Sequence, residues 1–162
     1  TGGTGSTSGG TLTACMTSAG TWQNAAVPSL TGTFTAEFDG TASATTTDGV
    51  GGLSKGAATA FTSLAVAVRF NNTGKIDARN GGAYAAAASI PYAANATYHF
   101  RLVINLTAHT YSAYVKQGAN AEVLIGSNYA FRTEQASVTA LNNLGAYADA
   151  GSVKICNGTT HL

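Results

Sequence analysis

Charge is what this chain has least of. Eight basic and seven acidic residues among 162 make 9%, against roughly 25% in an ordinary domain, and the formal net charge is +1. That balance excludes the basic footprint of a nucleic-acid binder and a polybasic membrane patch. No apolar run approaches the ~18 residues of a membrane-spanning helix. No charged region followed by an apolar stretch opens the chain, so no signal peptide is read there. Neither a G-x-G-x-x-G nor a Walker pattern occurs, which removes nucleotide cofactors. Helical periodicity is nearly absent, and no repeat at the ~20–50-residue periods of propellers or solenoids is visible.

Cysteine is nearly absent too. Cys15 and Cys156 are the only two, far apart and without the short spacing of a zinc knuckle or a redox pair. If the N- and C-terminal strands lie side by side, a Cys15–Cys156 disulfide would staple them. The alternative is two buried free thiols. The opening Thr1–Gly10, TGGTGSTSGG, has the composition of a flexible linker. It reads as a tether cut from a larger protein and leaves residues 11–162 as one domain.

What is present is strand signal, punctuated by Gly, Asn and Asp. Thr33–Phe38 alternates. Leu64–Phe70 sets Leu64, Val66, Val68 and Phe70 on one face, with Ala65, Ala67 and Arg69 on the other. Lys75–Arg79 and Ala83–Ile90 follow. Tyr98–Leu106 is the clearest strand, with Tyr98, Phe100, Leu102, Ile104 and Leu106 inward, and Thr110–Lys116 is its hairpin partner. Further strands are expected at Glu122–Ile125, Tyr129–Thr133 and Ser152–Cys156. Asp39-Gly40 and Asp48-Gly49 read as turns around a Thr/Ala/Ser loop. Ten or more strands suit two packed sheets. The expected fold is all-β: a two-sheet antiparallel β-sandwich of jelly-roll type.

Catalytic patterns are thin. Gly52-Leu53-Ser54-Lys55-Gly56 matches G-x-S-x-G, but that nucleophile elbow needs a strand–turn–helix context, and Gly51–Gly56 reads better as a turn or bulge. Glu37-Phe38-Asp39 begins the E-x-D-x-x-E pattern of glycosidases, yet Ala42 stands at its last position, and glycosidases ordinarily need two poised carboxylates. His99, His109 and His161 show no zinc spacing. Calcium accepts oxygen ligands from scattered loops, so Glu37, Asp39, Asp48 and Asp149 are candidates for a structural calcium; ordinary turn acids are the alternative. No other cofactor is expected.

A polar face remains. The outward parity of the strands carries Arg69, Asp77, Arg79, His99, Arg101 and Tyr114, and the later strand carries Arg132 and Glu134. Four of the eight basic residues are these arginines, all placed mid-strand by this reading. A guanidinium donates paired hydrogen bonds to vicinal hydroxyls or a carboxylate, and Trp22, Tyr84, Tyr92 or Tyr114 could offer the flat surface on which a sugar ring lies. The competing reading pairs the arginines with Asp77 and Glu134 across strands.

The segments DGVGGLS at 48–54, VRFNNTGKIDARNGGAY at 68–84, YHFRLVINLTAHTYSAYV at 98–115 and FRTEQ at 131–135, with Cys156, carry a resemblance. The chain resembles the laminin-G/concanavalin A-like jelly-roll modules of secreted bacterial polysaccharide-degrading enzymes. The resemblance implies that strands at 64–116 build much of one curved sheet, with sugar held on its concave face or along its edge. Alginate lyases of this fold carry R-x-E-x-R and Q-x-H patterns, both missing here.

The expected function is therefore a non-catalytic carbohydrate-binding module, secreted, extracellular and monomeric. It would target an attached catalytic domain to a polysaccharide, with a lean toward uronic-acid polymers, and would have no nucleic-acid or membrane partner. The expected ligand residues are Arg69, Asp77, Arg79, Tyr84, His99, Arg101, Tyr114, Arg132 and Glu134. One alternative is a structural or adhesion sandwich that binds no sugar. Another is a small lyase or hydrolase, for which His99 with Tyr114 is the local candidate.

Overall fold

The computed structural model describes residues 10–11 and 14–162. Thirteen strands run as β1 (Gly10–Thr11), β2 (Met16–Ser18), β3 (Gln23–Ala26), β4 (Thr33–Ala42), β5 (Asp48–Ser54), β6 (Leu64–Phe70), β7 (Ile76–Asn80), β8 (Ala83–Ala85), β9 (Thr97–Asn105), β10 (Thr110–Lys116), β11 (Val123–Ala130), β12 (Asn143–Ala150) and β13 (Val153–His161). Short 3-10 turns occupy Phe61–Ser63 and Thr133–Gln135. Seven strands form one sheet, ordered β1-β13-β4-β9-β10-β11 with β2 also paired to β13; the other six are ordered β3-β12-β5-β6-β7-β8. All of these pairings are antiparallel. This is the jelly-roll sandwich the alternation predicts.

The inward parities of β4, β9 and β10 meet those of β5–β7 in one core. Phe34, Phe38, Phe100, Leu102 and Ile104 from the first sheet pack with Leu53, Val66, Val68, Phe70 and Ile76 from the second. Phe70 is the hub, edge-on to Tyr92 at 4.9 Å and to Phe100 at 5.6 Å. The β9–β10 hairpin has the predicted register, with Arg101 opposite Tyr114 and His99 opposite Lys116.

Glycine is where the sequence misleads. Asp39-Gly40 and Asp48-Gly49 lie inside β4 and β5, not in turns; the Thr/Ala/Ser loop between them starts later. Gly51 and Gly52 are also strand residues, and only a register shift at Leu53–Ser54 and the positive φ of Gly56 realise the expected bulge and turn. Packing explains their choice. A Cβ on Gly51 would stand 3.0 Å from Ile155 Cδ1 and 3.2 Å from Phe38, so the bare backbone leaves room for the opposite sheet. At Gly52 a Cβ would collide with the carbonyl oxygen of Val66 on the neighbouring strand. A glycine inside a strand marks such close approaches.

Other expectations need correcting. The strands at 64–116 do not share a sheet: β6, β7 and β8 belong to the six-stranded sheet, β9 and β10 to the seven-stranded one. The register shift also turns Leu64 away from Val66, into a small outer cluster with Val50, Ala58 and Ala67. β8 ends at Ala85, well short of Ile90. The two strands expected at 122–125 and 129–133 are one strand, β11, which ends before Arg132. β2, β3 and β12 are too short or too rich in Ala, Asn and Gly to show alternation.

Cys15 and Cys156 form a disulfide with Cα atoms 4.3 Å apart. It ties the segment entering β2 to β13, the strand with which both β1 and β2 pair. Of the expected linker Thr1–Gly10, only Gly10 falls within the described residues, opposite Thr160; the rest lies outside them.

Two outcomes follow. Replacing both cysteines by serine opens a loop spanning 141 positions and should cost roughly 2–5 kcal/mol, read as a lower urea midpoint; an unchanged midpoint would contradict the staple. Gly52→Ala should cost about 1–3 kcal/mol by forcing backbone apart, and a neutral effect would show that the close approach is not tight.

Candidate functional site

The split of the 64–116 strands between two sheets divides the expected ligand residues between two outer faces. On the six-stranded sheet, Arg69 stands opposite Asp77 and Arg79 opposite Tyr84. Arg132 reaches the same place from beyond β11, its backbone N–H donating to Ala65 O at 2.9 Å. Gln135 Nε2 donates to Thr62 O at 2.8 Å and so ties the two 3-10 turns together.

Tyr84 is the centre of this pocket. The Arg69 guanidinium carbon lies 3.8 Å from its ring centre, that of Arg79 5.2 Å and that of Arg132 6.0 Å. Arg132 also donates from Nη2 to the Tyr84 hydroxyl at 3.2 Å. Stacking on an aromatic face suits the planar, weakly hydrated guanidinium. Asp48, Val50 and Phe61 complete the lining of a cavity of about 260 Å³.

The three guanidiniums are held differently. Arg69 makes a two-pronged ion pair with Asp77, Nε to Oδ1 at 2.8 Å and Nη2 to Oδ2 at 2.6 Å, and Asn71 donates a further bond to Asp77 Oδ2 at 3.1 Å. Burial alone would lower the Arg69 pKa, but the Asp77 hydrogen bonds and charge outweigh it and raise it. Arg79 Nε donates to Gly81 O at 2.9 Å. Arg132 is only 4% exposed, and its Nε is buried without a partner. Among the described residues no carboxylate forms an ion pair with Arg79 or Arg132. Burial pushes the Tyr84 phenol up, so it stays neutral beside these cations.

The other group lies on the seven-stranded sheet. His99 Nδ1 donates to Asp39 Oδ1 and its Nε2 to Glu37 Oε1, both at 2.8 Å. Both ring nitrogens can donate at once only in the imidazolium form. His161 Nε2 donates to Glu37 Oε2 at 2.8 Å, and Asn157 Nδ2 to Asp39 Oδ2 at 2.8 Å. Arg101 pairs with Glu122 through both prongs, at 3.0 and 2.7 Å, and lies 4.2 Å from the ring centre of Tyr114. Every charged prong here already has a partner.

The remaining candidates scatter. Glu134 is exposed in its 3-10 turn. Tyr92 is a core residue, 5% exposed, with its hydroxyl donating to Asn71 O at 2.7 Å, so it offers no surface to a sugar. Of the four calcium candidates, Glu37 and Asp39 lie on β4 of one sheet, whereas Asp48 and Asp149 lie on β5 and β12 of the other. Among the described residues no group of three or more His, Cys, Asp or Glu is arranged to hold a metal ion. Ser54, in the G-x-S-x-G segment, is buried and donates to Gly56 O at 2.7 Å. Ala42, where the glycosidase pattern wants an acid, is wholly buried.

Sequence reasoning missed one feature of the six-stranded face. Trp22 stacks on Tyr147 with ring centres 4.9 Å apart, and Phe61 meets Tyr147 edge-on at 5.3 Å. Phe61 is shared with the arginine pocket. Trp22 alone was a candidate; β12, which carries Tyr147, gave no strand signal.

No family model matches the chain. It is 36% identical over 125 residues, 74% of the chain, to a gellan lyase from a Bacillus species, of which those residues cover 5%. Among solved structures it is similar to a sialidase (13% identity, 86% of this chain and 14% of that one, TM-score 0.62). The lectin UEA-II, solved with galactose, matches with 6% identity over 88% and 82% of the two chains, TM-score 0.56. A GH131 β-glucanase catalytic domain from Podospora anserina matches with 12% identity over 91% and 71%, TM-score 0.54. These likenesses show a lectin-type jelly roll, a fold that serves binding proteins and catalytic domains alike.

The histidine–carboxylate cluster gives a pH signature. Burial alone would lower the His99 pKa, but the hydrogen bonds to Glu37 and Asp39 raise it above 6.5, and the bond to Glu37 raises that of His161. Glu37 moves the other way: burial would raise it, and the two histidines hold it below 4.5. A raised histidine stabilises fully below its unfolded value and loses this as pH rises through the folded value; a depressed carboxylate stabilises above its unfolded value and loses this as pH falls. Both contributions are whole between about 4.5 and 6.5. The urea midpoint should therefore fall between pH 6 and pH 8 in the native chain and fall less in His99→Gln. Equal slopes would contradict the cluster.

Proposed function

We propose that this chain is a non-catalytic carbohydrate-binding module of a larger, secreted polysaccharide-degrading protein, and that it binds an acidic polysaccharide at the arginine pocket of the six-stranded sheet. The observation that carries this reading is Arg132, a buried guanidinium with an unpartnered Nε and no carboxylate against it. Burying an unpaired charge costs several kcal/mol, on the order of what breaking a buried ion pair costs. Such a group gains most from an incoming anion. A carboxylate fits the fork of a guanidinium, and a uronic acid brings that carboxylate on a ring that can lie against Tyr84 or Phe61.

The lectin-type fold and the likeness to a stretch of gellan lyase support sugar binding in the service of a polysaccharide-degrading enzyme. Tethering to a polymer raises the local substrate concentration of an attached catalytic domain without chemistry in the module. The Cys15–Cys156 disulfide fits an oxidising, extracellular setting. The adhesion alternative predicts arginines paired within the fold. Arg69 with Asp77 and Arg101 with Glu122 meet that prediction; Arg79 and Arg132 do not.

Affinity gel electrophoresis against neutral and uronic-acid polymers tests the reading. The native module should be retarded by an acidic polymer, and less so as salt rises, because screening shortens the reach of charge. Arg132→Met should abolish that retardation while melting at the same or a higher temperature, since an apolar replacement removes an uncompensated charge. Retention of binding in Arg132→Met, or indifference to salt, would overturn the reading.

A further inference from the structure

Resting on that reading, we infer that the site takes one carboxylate at a time and seats the neighbouring sugar units on the aromatic row of Trp22, Tyr147 and Phe61, so that it selects sparsely charged mixed polysaccharides over homopolymeric uronides. The first half comes from charge. Arg69, Arg79 and Arg132 share the pocket with Asp48, which lines it, and with Asp77, which is bound to Arg69. Two of three cations are thereby offset within the fold, and room remains for a single anionic group.

The second half comes from register. Tyr147 on β12 stands opposite Val50 on β5, Val50 opposite Arg69 on β6, and Arg69 opposite Asp77 on β7. One row thus runs across the strands from the tryptophan end to the arginine pocket. Between Trp22, which adjoins β3, and Arg69 lie three strand spacings, roughly 14 Å, more than one sugar unit. Val50 is 1% exposed, so the surface a ligand meets there is Phe61, Tyr147 and Trp22, all only partly buried. None of the three carries charge, and a second carboxylate on this stretch would lose hydration without gaining a donor. Aromatic faces suit the apolar side of a neutral pyranose.

Trp22 is the chain's only tryptophan, so its emission reports on the far end of the row alone. The experiment titrates the native module with three probes: methyl glucuronide, an oligogalacturonide, and an oligosaccharide of equal length with one glucuronate among glucose units. Fluorescence and calorimetry are read together. The mixed oligosaccharide should bind most tightly and shift the Trp22 emission, whereas methyl glucuronide should bind weakly and leave it unmoved. Phe61→Ala should weaken the mixed oligosaccharide by roughly three- to tenfold, the worth of an aromatic contact, with methyl glucuronide affinity unchanged.

An oligogalacturonide that binds as tightly as the mixed probe would overturn the inference and leave the acidic-polymer reading standing. So would calorimetric binding of the mixed probe with no change at Trp22. Absence of binding by all three probes would overturn the acidic-polymer reading itself.

Discussion

The approach of the two sheets across the bare backbone of β4 and β5 decides what the rest of the molecule can present. Gly40 faces Phe70 and Phe100, and Gly51 faces Phe38 and Ile155. The large side chains that fill the core come mainly from one partner at each crossing. With inward positions so assigned, strand alternation leaves Asp48, Val50, Arg69, Asp77 and Arg79 on the outer face of the six-stranded sheet. Glu37, Asp39, His99 and Arg101 fall on the outer face of the other.

Those two faces use charge in opposite ways. On the seven-stranded sheet each cation has an anion: His99 lies between two carboxylates, and Arg101 is clasped by Glu122. Such half-exposed pairs set how stability responds to pH and leave little for a ligand. On the six-stranded sheet the balance is broken. Three guanidiniums gather on one tyrosine ring, and the most buried of them has no acid. A chain with so few charges that buries one unpaired is accepting a cost in stability that only a binding partner offsets.

The fold was legible because β9 and β10 alternate cleanly and because turn residues separate the strands. The disulfide was legible because two cysteines alone had to meet or stay free. Sheet membership was not legible. Nothing local in Lys75–Arg79 or Tyr98–Leu106 tells that the chain changes sheets between them, and that change separates Arg69, Arg79 and Tyr84 from His99, Arg101 and Tyr114. The glycines misled because a glycine chosen for close packing looks like a glycine chosen for a turn; Asp39-Gly40 is the plainest case. Arg132 was read as a strand residue, whereas it works from beyond the end of β11, where only the long-range bond from its backbone to Ala65 fixes it. Tyr147 escaped notice because its strand, NLGAYADA, is too rich in small residues to alternate visibly.

The central claim is that an acidic sugar is held at the Tyr84 pocket and not on the histidine face. The most direct measurement follows the arginine Nε–Hε signals of the isotope-labelled module by NMR while a uronate-containing oligosaccharide is added. With four arginines in the chain, each side chain can be followed separately. The account predicts that Arg132 and Arg79 shift together and saturably while Arg101 stays still. Saturable movement of Arg101 alone, with Arg79 and Arg132 unmoved, would contradict it.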